Sequence, residues 1–271
     1  MKEIIDGINL PKHILDKTEK FMSKLLGPSI KEFGELFADN VRFRRLKNQV
    51  KIFNKTRELL DKNGLEPREL NLKTLVPLVE KSSVEDEELL QDKWANLIAN
   101  IASTPESGLE PRLINTLSAL SSLEARILDF IHEDFYVQRQ LKLARLLDSK
   151  HYKYTEDDIK VSEIVISFET VKKTFELSED FTKIYIDNLE SLGLLKYEEP
   201  QIDIDDGSTS ADLDNESLEP SVELNLDLSA NYNSSDDFNI TAFGNYFIKK
   251  CKICTYNRTL LASGSYRTSN R

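Results

Sequence analysis

The residues able to do chemistry are few and scattered. The two cysteines form one CxxC, Cys251-Lys252-Ile253-Cys254. Zinc wants four ligands, and no second cysteine pair exists to complete a site. The three histidines, His13, His132 and His151, form no metal-spaced pair. A redox CxxC usually opens a helix, where the N-terminal partial charge stabilises the thiolate. Here the helical pattern Phe243–Cys254 puts the pair at the closing end, so it reads as two small apolar residues. No Walker loop, GxGxxG, HExxH or GxSxG occurs. Glu85-Asp86-Glu87-Glu88 offers four carboxylates, but a helix N-terminus attracts anions without any catalysis. Asn96 and Asn100, four apart beside Trp94, either bind a ligand or tie their helix to a neighbouring backbone, since buried amides need partners. The expectation is no enzyme active site, no cofactor and no metal.

A basic stripe is the stronger signal. Arg44, Lys47, Lys51 and Lys55 recur at helical spacing, with Arg42, Arg45 and Arg57 on the flanks. Such a row neutralises phosphates along a nucleic acid, meets an acidic protein or an anionic membrane, or is simply a solvated helix face. The candidate anionic-partner surface is therefore Arg42, Arg44, Arg45, Lys47, Lys51 and Lys55. Residues 12–26 set Lys17, Lys20 and Lys24 opposite Phe21, Met22 and Leu25. That face lies on a membrane or packs on the next helices.

Charge is polarised along the 271 residues. The net charge is −11, yet Glu198–Asp237 holds thirteen Asp and Glu and no Lys or Arg. Residues 1–60 hold thirteen Lys and Arg against eight Asp and Glu. No apolar run approaches the roughly 18 residues of a membrane span. The start, MKEIIDGINLPKHIL, lacks the apolar core of a signal peptide. Few cysteines also suit a reducing compartment, so a cytoplasmic location is expected.

The elements that would position these residues are mostly helices. Helices are expected over 12–26, 29–62 and 72–81, the second stopped by Asn63-Gly64. Ser83 is placed to cap a further helix, with Leu89, Leu90, Trp94, Leu97, Ile98 and Ile101 on one face. Leu109–Leu120 follows. Ser121-Ser122-Leu123-Glu124 spells a capping box, and residues 135–147 suggest a separate helix. Val161–Phe168 is β-branched like a strand, and Phe168–Leu177 is helical. Ser178 caps a helix with Phe181, Tyr185, Leu189 and Leu192 on one stripe, ended by Gly193. Strands are expected at Leu194–Tyr197, Val222–Leu228 and Phe238–Ala242. Residues 201–221 are too acidic and polar to order themselves and read as a mobile loop.

Helix, short helix, capped helix, strand, wing, strand is winged-helix order. The expected fold is mainly α with a small β wing. An N-terminal helical domain (1–108) carries the basic helix. A winged-helix-like C-terminal domain (109–258) carries the acidic insertion 198–237, and 259–271 forms a flexible tail. The helix in the DNA-reading position shows Glu179, Asp180, Asp187 and Glu190 against Lys183 alone. Phosphate neutralisation supplies most non-specific DNA affinity, so this surface repels DNA and suits protein contact or self-association.

The segments GPSIKEFGELFADNVRFRRLKNQVKIFNK and LKTLVPLVEKSSVEDEELLQDKWANLIANIAS resemble the abortive-infection alpha family. The likeness continues through LINTLSALSSLEARILDFI and, more loosely, ITAFGNYFIKKC. It covers most of residues 27–255 without the acidic insertion, which departs from the family pattern. The resemblance implies a link to bacterial defence against phage and brings no catalytic residues with it. The functional expectation is a non-enzymatic cytosolic interaction protein of a phage-defence system, partnered by a protein or by a second copy. The alternative is a nucleic-acid-binding regulator that uses Arg44–Lys55.

Overall fold

The structure is a computed structural model that describes residues 20–21, 24–25, 40–149, 155, 159–199, 201–206, 228–233 and 235–252. For 40–43, 148–149, 201–206 and 228–233 it describes the backbone only. Eight α-helices and five short strands occur among these residues. The fold is mainly helical with a small three-stranded antiparallel sheet. The chain forms two compact units, 1–133 with 242–271, and 134–241. The boundary expected at residue 108 falls inside the first.

The first unit is built on helices α1 (Asn40–Asn63), α2 (Leu72–Ser83), α3 (Glu88–Ser103), α4 (Glu110–Ala119), the start of α5 (Ser122–Ser149) and α8 (Ala242–Cys251). Helix α3 is its centre. Leu90, Trp94, Ala95, Leu97, Ile98, Ala99, Ile101 and Ala102 are all buried, because a helix with apolar side chains over most of its circumference must be covered on most sides. Helices α1 and α8 pack on it. Phe53 and Leu60 come from α1 into this core, and Phe21 tilts against Phe53 at 6.1 Å between ring centres. Gly64 ends α1 at φ +63°, and the Leu65 amide donates back to the Leu60 carbonyl at 2.9 Å. That backward bond needs the left-handed turn glycine adopts without a Cβ penalty. The Asn71 side chain caps α2 by accepting from the Thr74 amide at 2.9 Å.

Several expectations change here. Ser83 does not cap α3. It is the last residue of α2, its hydroxyl donates to the Glu80 carbonyl, and α3 opens at Glu88 behind Glu87 with no side-chain cap. The capping box is present: the Ser121 amide and hydroxyl each donate to Glu124 at 2.7 Å. Residues 135–147 are no separate helix but the continuation of α5. Of the helix expected over 12–26, residues 20–21 and 24–25 are helical, with Phe21 and Leu25 buried. Its remainder lies outside the described residues, as do 29–39, 207–227, Cys254 and the tail.

The second unit takes the rest of α5, then a 3-10 turn (Val161–Glu163), β1 (Val165–Ile166), α6 (Phe168–Thr174), α7 (Glu179–Ser191), β2 (Leu195–Tyr197), β3 (Gln201–Asp206), β4 (Leu228–Asn233) and β5 (Phe238–Ile240). The sheet order is β1-β5-β2, antiparallel, with Ile166 opposite Phe238 and Leu195 opposite Ile240. Only two residues of the expected 161–168 strand pair, because the chain first makes a 3-10 turn. Residues 201–206, expected as loop, form β3, and β3 pairs with β4 from Gln201–Asn233 to Asp206–Leu228. Backbone pairing supplies the order that their polar composition does not.

Ser178 caps α7, accepting from the Phe181 amide at 3.3 Å. Gly193 ends it at φ +73°, and the Leu194 amide reaches the Leu189 carbonyl at 3.0 Å. Thr182, Ile186 and Leu189 are the buried stripe of α7. The stripe expected through Phe181 is therefore rotated, since a Phe181–Leu192 reading and a Thr182–Leu189 reading differ by one residue at the N-terminal end. The core of this unit is Phe135, Ile159, Ile164, Ile166, Phe168, Val171, Ile186, Leu189, Leu194, Leu195, Phe238 and Ile240.

Helix α6 closes on Glu176, a non-glycine residue at φ +52°, with the Leu177 amide donating to the Lys172 carbonyl at 3.0 Å. This is a glycine-type helix end occupied by a residue with a Cβ. Replacing Glu176→Gly should stabilise the protein by about 1 kcal/mol. Urea unfolding of the two proteins checks it, and a loss of stability would show that this backbone is not strained.

Candidate interaction surfaces

The face of α1 is where the sequence places its anionic-partner surface, and the structure engages half of it internally. The Arg44 guanidinium lies 3.4 Å from the Asp86 carboxylate. Arg45 donates to the Ser83 hydroxyl at 2.7 Å and to the Glu80 carbonyl at 3.3 Å. The Lys55 ammonium sits 2.5 Å from Asp92 and 3.4 Å from Glu88. Burial alone would lower the Lys55 pKa, but bonds and attraction from Asp92 and Glu88 outweigh it and raise the value. Arg57 donates to Asn54 of its own helix at 2.8 Å. Lys47 and Lys51 remain exposed and make no ion pair among the described residues. Of Arg42 the structure describes the backbone only.

The acidic run 85–88 thus serves α1 as well as the α3 end. Asp86 and Glu88 meet cations of α1, and Glu85 accepts from the Glu87 amide at 3.0 Å. Burial pushes the Glu85 carboxyl up. At the end of α1, a cleft of about 340 Å³ opens between Lys20, Phe21, Lys24, Arg57, Asp61 and Glu66, among others. Its rim mixes signs, with Lys24 and Glu66 3.4 Å apart.

A buried polar cluster joins α3, α5 and α8, and the sequence reading missed most of it. The Lys93 ammonium lies 2.7 Å from both oxygens of Asp129. His132 is buried, with Nδ1 3.1 Å from the Lys252 ammonium. Desolvation first, then the charges of Lys252 and Lys249, push His132 down to about 4. It is neutral at pH 7. Cys251 is buried beside this pair, and burial pushes its thiol up to about 12. A protonated, buried thiol is neither nucleophile nor ready metal ligand. Among the described residues no group of three His, Cys, Asp or Glu could hold a metal ion. Asn100 donates to the Lys250 carbonyl at 2.8 Å, which is the backbone tie. Asn96 bonds only back along its helix, to the Asp92 carbonyl. The missed signal was a charge inside each apolar run: Lys93 in QDKWANLIA and Asp129 in ILDFI.

The third surface is the outer face of α7 in the second unit. Phe181 is 57% exposed and Ile184 58%. Glu179, Asp180 and Asp187 are exposed around them, and Lys183 is the one cation of the helix. That lysine lies 3.9 Å from Asp236. The Tyr197 hydroxyl of β2 donates to Asp187 at 2.6 Å, and the Tyr197 amide donates to Glu190 at 3.3 Å. Partial burial and the Asp187 carboxylate hold the Tyr197 phenol above its usual range. Both donors to these acids are neutral groups and bring no positive charge to the face. Two large apolar side chains ringed by carboxylates suit contact with protein and oppose contact with phosphate.

Among the described residues no helix is long and apolar enough to cross a membrane. The family model described as abortive infection alpha matches residues 43–251, from α1 to the end of α8. No curated protein and no solved structure matches the chain.

Two tests separate the working residues from the merely exposed ones. Arg45→Ala should cost about 1.5 kcal/mol, since it removes two bonds from a charged donor. Lys47→Ala and Lys51→Ala should each stay within about 0.5 kcal/mol of the parent. Urea unfolding reads all three, and equal losses would contradict the assignment. The second test is pH. His132 binds its proton more weakly folded than unfolded, so its contribution is complete above pH 6.5 and fades as pH falls toward 4. The loss should reach about 2–3 kcal/mol. His132→Gln should flatten that part of the stability profile.

Proposed function

We propose, from the premise that the chain belongs to the abortive infection alpha family, that it is a non-enzymatic cytosolic component of a phage-defence system and works through protein contacts. The carrying observation is the outer face of α7, where Phe181 and Ile184 stand exposed among carboxylates. The second unit runs helix, β1, α6, α7, β2, hairpin, β5, and we read this as a winged helix with β3 and β4 as its wing. In a DNA-reading winged helix α7 would enter the major groove. Its charge instead favours a protein partner there.

Among the described side chains of the α1 stripe, Lys47 and Lys51 are the cations without an ion pair. A stripe whose Arg44, Arg45 and Lys55 are already engaged within the fold has fewer cations to give to phosphates, which favours the protein-contact reading. The buried cluster around Lys93 supports the non-enzymatic reading in the same way: its ion pair is closed and its thiol protonated.

Phage challenge of cells with and without the gene tests the proposal. Cells carrying it should plate at least one phage of a broad panel less efficiently. Exchanging Phe181→Gln and Ile184→Gln should abolish protection with the protein still folded and present at the parental level. Equal plaque counts with and without the gene across the panel would overturn the defence role. Protection that survives the double exchange would overturn the role of α7.

A further inference from the structure

Strands β3 and β4 pair with each other from Gln201–Asn233 to Asp206–Leu228, and no third strand joins them among the described residues. Each packs chiefly on the other among the described elements. A strand with no neighbour on one side offers a row of backbone donors and acceptors to another chain. Which chain it accepts is set by the residues along that row, because an added strand lays its own side chains beside theirs on both faces.

Successive residues of a strand alternate between the two faces, and the register sorts this ribbon. Ile202 and Ile204 share a face with Tyr232 and Ala230, and Asp206 and Leu228 close its end. Asp203 and Asp205 share the other face with Asn231 and Ser229. One face is thus mostly apolar. On the other, β3 contributes carboxylates and β4 contributes neutral groups, so the side that β3 borders is the charged one. No Lys or Arg occurs from Glu198 to Asp237, so the segment holds no cation of its own to neutralise those acids.

We infer that the open side of β3 takes an extended segment of a partner protein in which basic and apolar residues alternate. Such a segment adds a third strand to the ribbon. Its backbone completes the row, its apolar residues continue the face of Ile202 and Ile204, and its cations stand beside Asp203 and Asp205. Backbone bonds supply the affinity in this mode of binding, and the alternating side chains supply the choice of partner. A second copy does not fit. Its β3 would set aspartate beside aspartate, and its β4 brings no cation. This surface is separate from the α7 face of the proposed function and does not rest on it.

Fluorescence anisotropy tests this, with a labelled peptide of alternating lysine and valine titrated with the full chain at low ionic strength. The peptide should bind, and binding should weaken as salt rises. A peptide of the same composition with its lysines and valines in separate blocks should bind at least about tenfold more weakly. Alternating glutamate and valine should not bind. N-methylation removes backbone donors and leaves the charges in place. Methylating the lysine amides or the valine amides should abolish binding in one of the two cases, because one set faces β3 and the other faces away. Asp203→Asn together with Asp205→Asn should raise the dissociation constant roughly tenfold. Phe181→Gln with Ile184→Gln should bind as the parent does. No binding of the alternating peptide overturns the inference. Equal binding of the block peptide, or indifference to both methylations, overturns it too, since either means diffuse attraction to an acidic chain. Unchanged affinity in the aspartate variant, or lost binding in the α7 variant, places the peptide elsewhere and also overturns it. The role of α7 is read from plaque counts and stands apart from each of these results.

Discussion

Helix α3 leaves only a narrow strip to water, at Glu88 and Asp92, and the first unit is arranged around that fact. Eleven of its sixteen residues are buried. Three of the eleven are Gln91, Lys93 and Asn96, whose polar groups cannot simply be removed from water. The surroundings supply part of what is missing, and Asn96 turns back to the Asp92 carbonyl of its own helix. Asp129 meets the Lys93 ammonium from α5, and the Glu85 carbonyl accepts from the Gln91 amide at 2.9 Å. Thr56 of α1 donates to the Ala95 carbonyl at 3.3 Å. Apolar burial drives the helices onto α3, and these directional bonds fix how they sit against it. A closed ion pair contributes less to stability than its short distances suggest, because desolvation consumes much of the attraction. Its firmer consequence is that α3 and α5 have one favourable register.

The second unit solves a different problem with a smaller core. Its sheet is three short strands, too little to stand without the helices. Side chain to backbone bonds pin the ends. The Phe168 amide, which opens α6, donates to Asp237, and the Asp237 carbonyl accepts from the Glu198 amide. The Thr241 hydroxyl donates to the Gly193 carbonyl at 2.6 Å, at the turn out of α7. These ties hold α7 by its buried stripe and its ends, and Phe181 and Ile184 on its outer face stay exposed.

Much of this was legible in the sequence. The capping box at Ser121, the glycine stops at Gly64 and Gly193, and the Ser178 cap are local devices spelled by adjacent residues. What failed was whatever depends on a distant partner. Ser83 has the right chemistry for a cap, but Arg45 and Asn48, far back in the chain, hold the Ser83 hydroxyl and carbonyl. The α1 stripe looked free because nothing nearby in sequence shows that Asp86, Glu88 and Asp92 come to meet it. Phe181 looked buried because a one-residue rotation of a stripe costs nothing in a periodic pattern. Residues 201–206 looked disordered by composition, since strand pairing with 228–233 is not written in either segment alone. The α7 surface was legible in its charges, and its apolar centre was not.

Among the described residues the β3–β4 ribbon has two strands, so each has one edge with no strand paired to it there. An open edge of that kind recruits further strands, and it is the usual starting point of fibrils. Strand β3 reads QIDIDD, with three aspartates in six residues. Stacking such strands in register would place like charges 4.8 Å or so apart along a fibril. The acidity that keeps this ribbon from nucleic acid therefore also keeps it from its own kind, and a ribbon neutralised by Asp→Asn exchange would lose that protection.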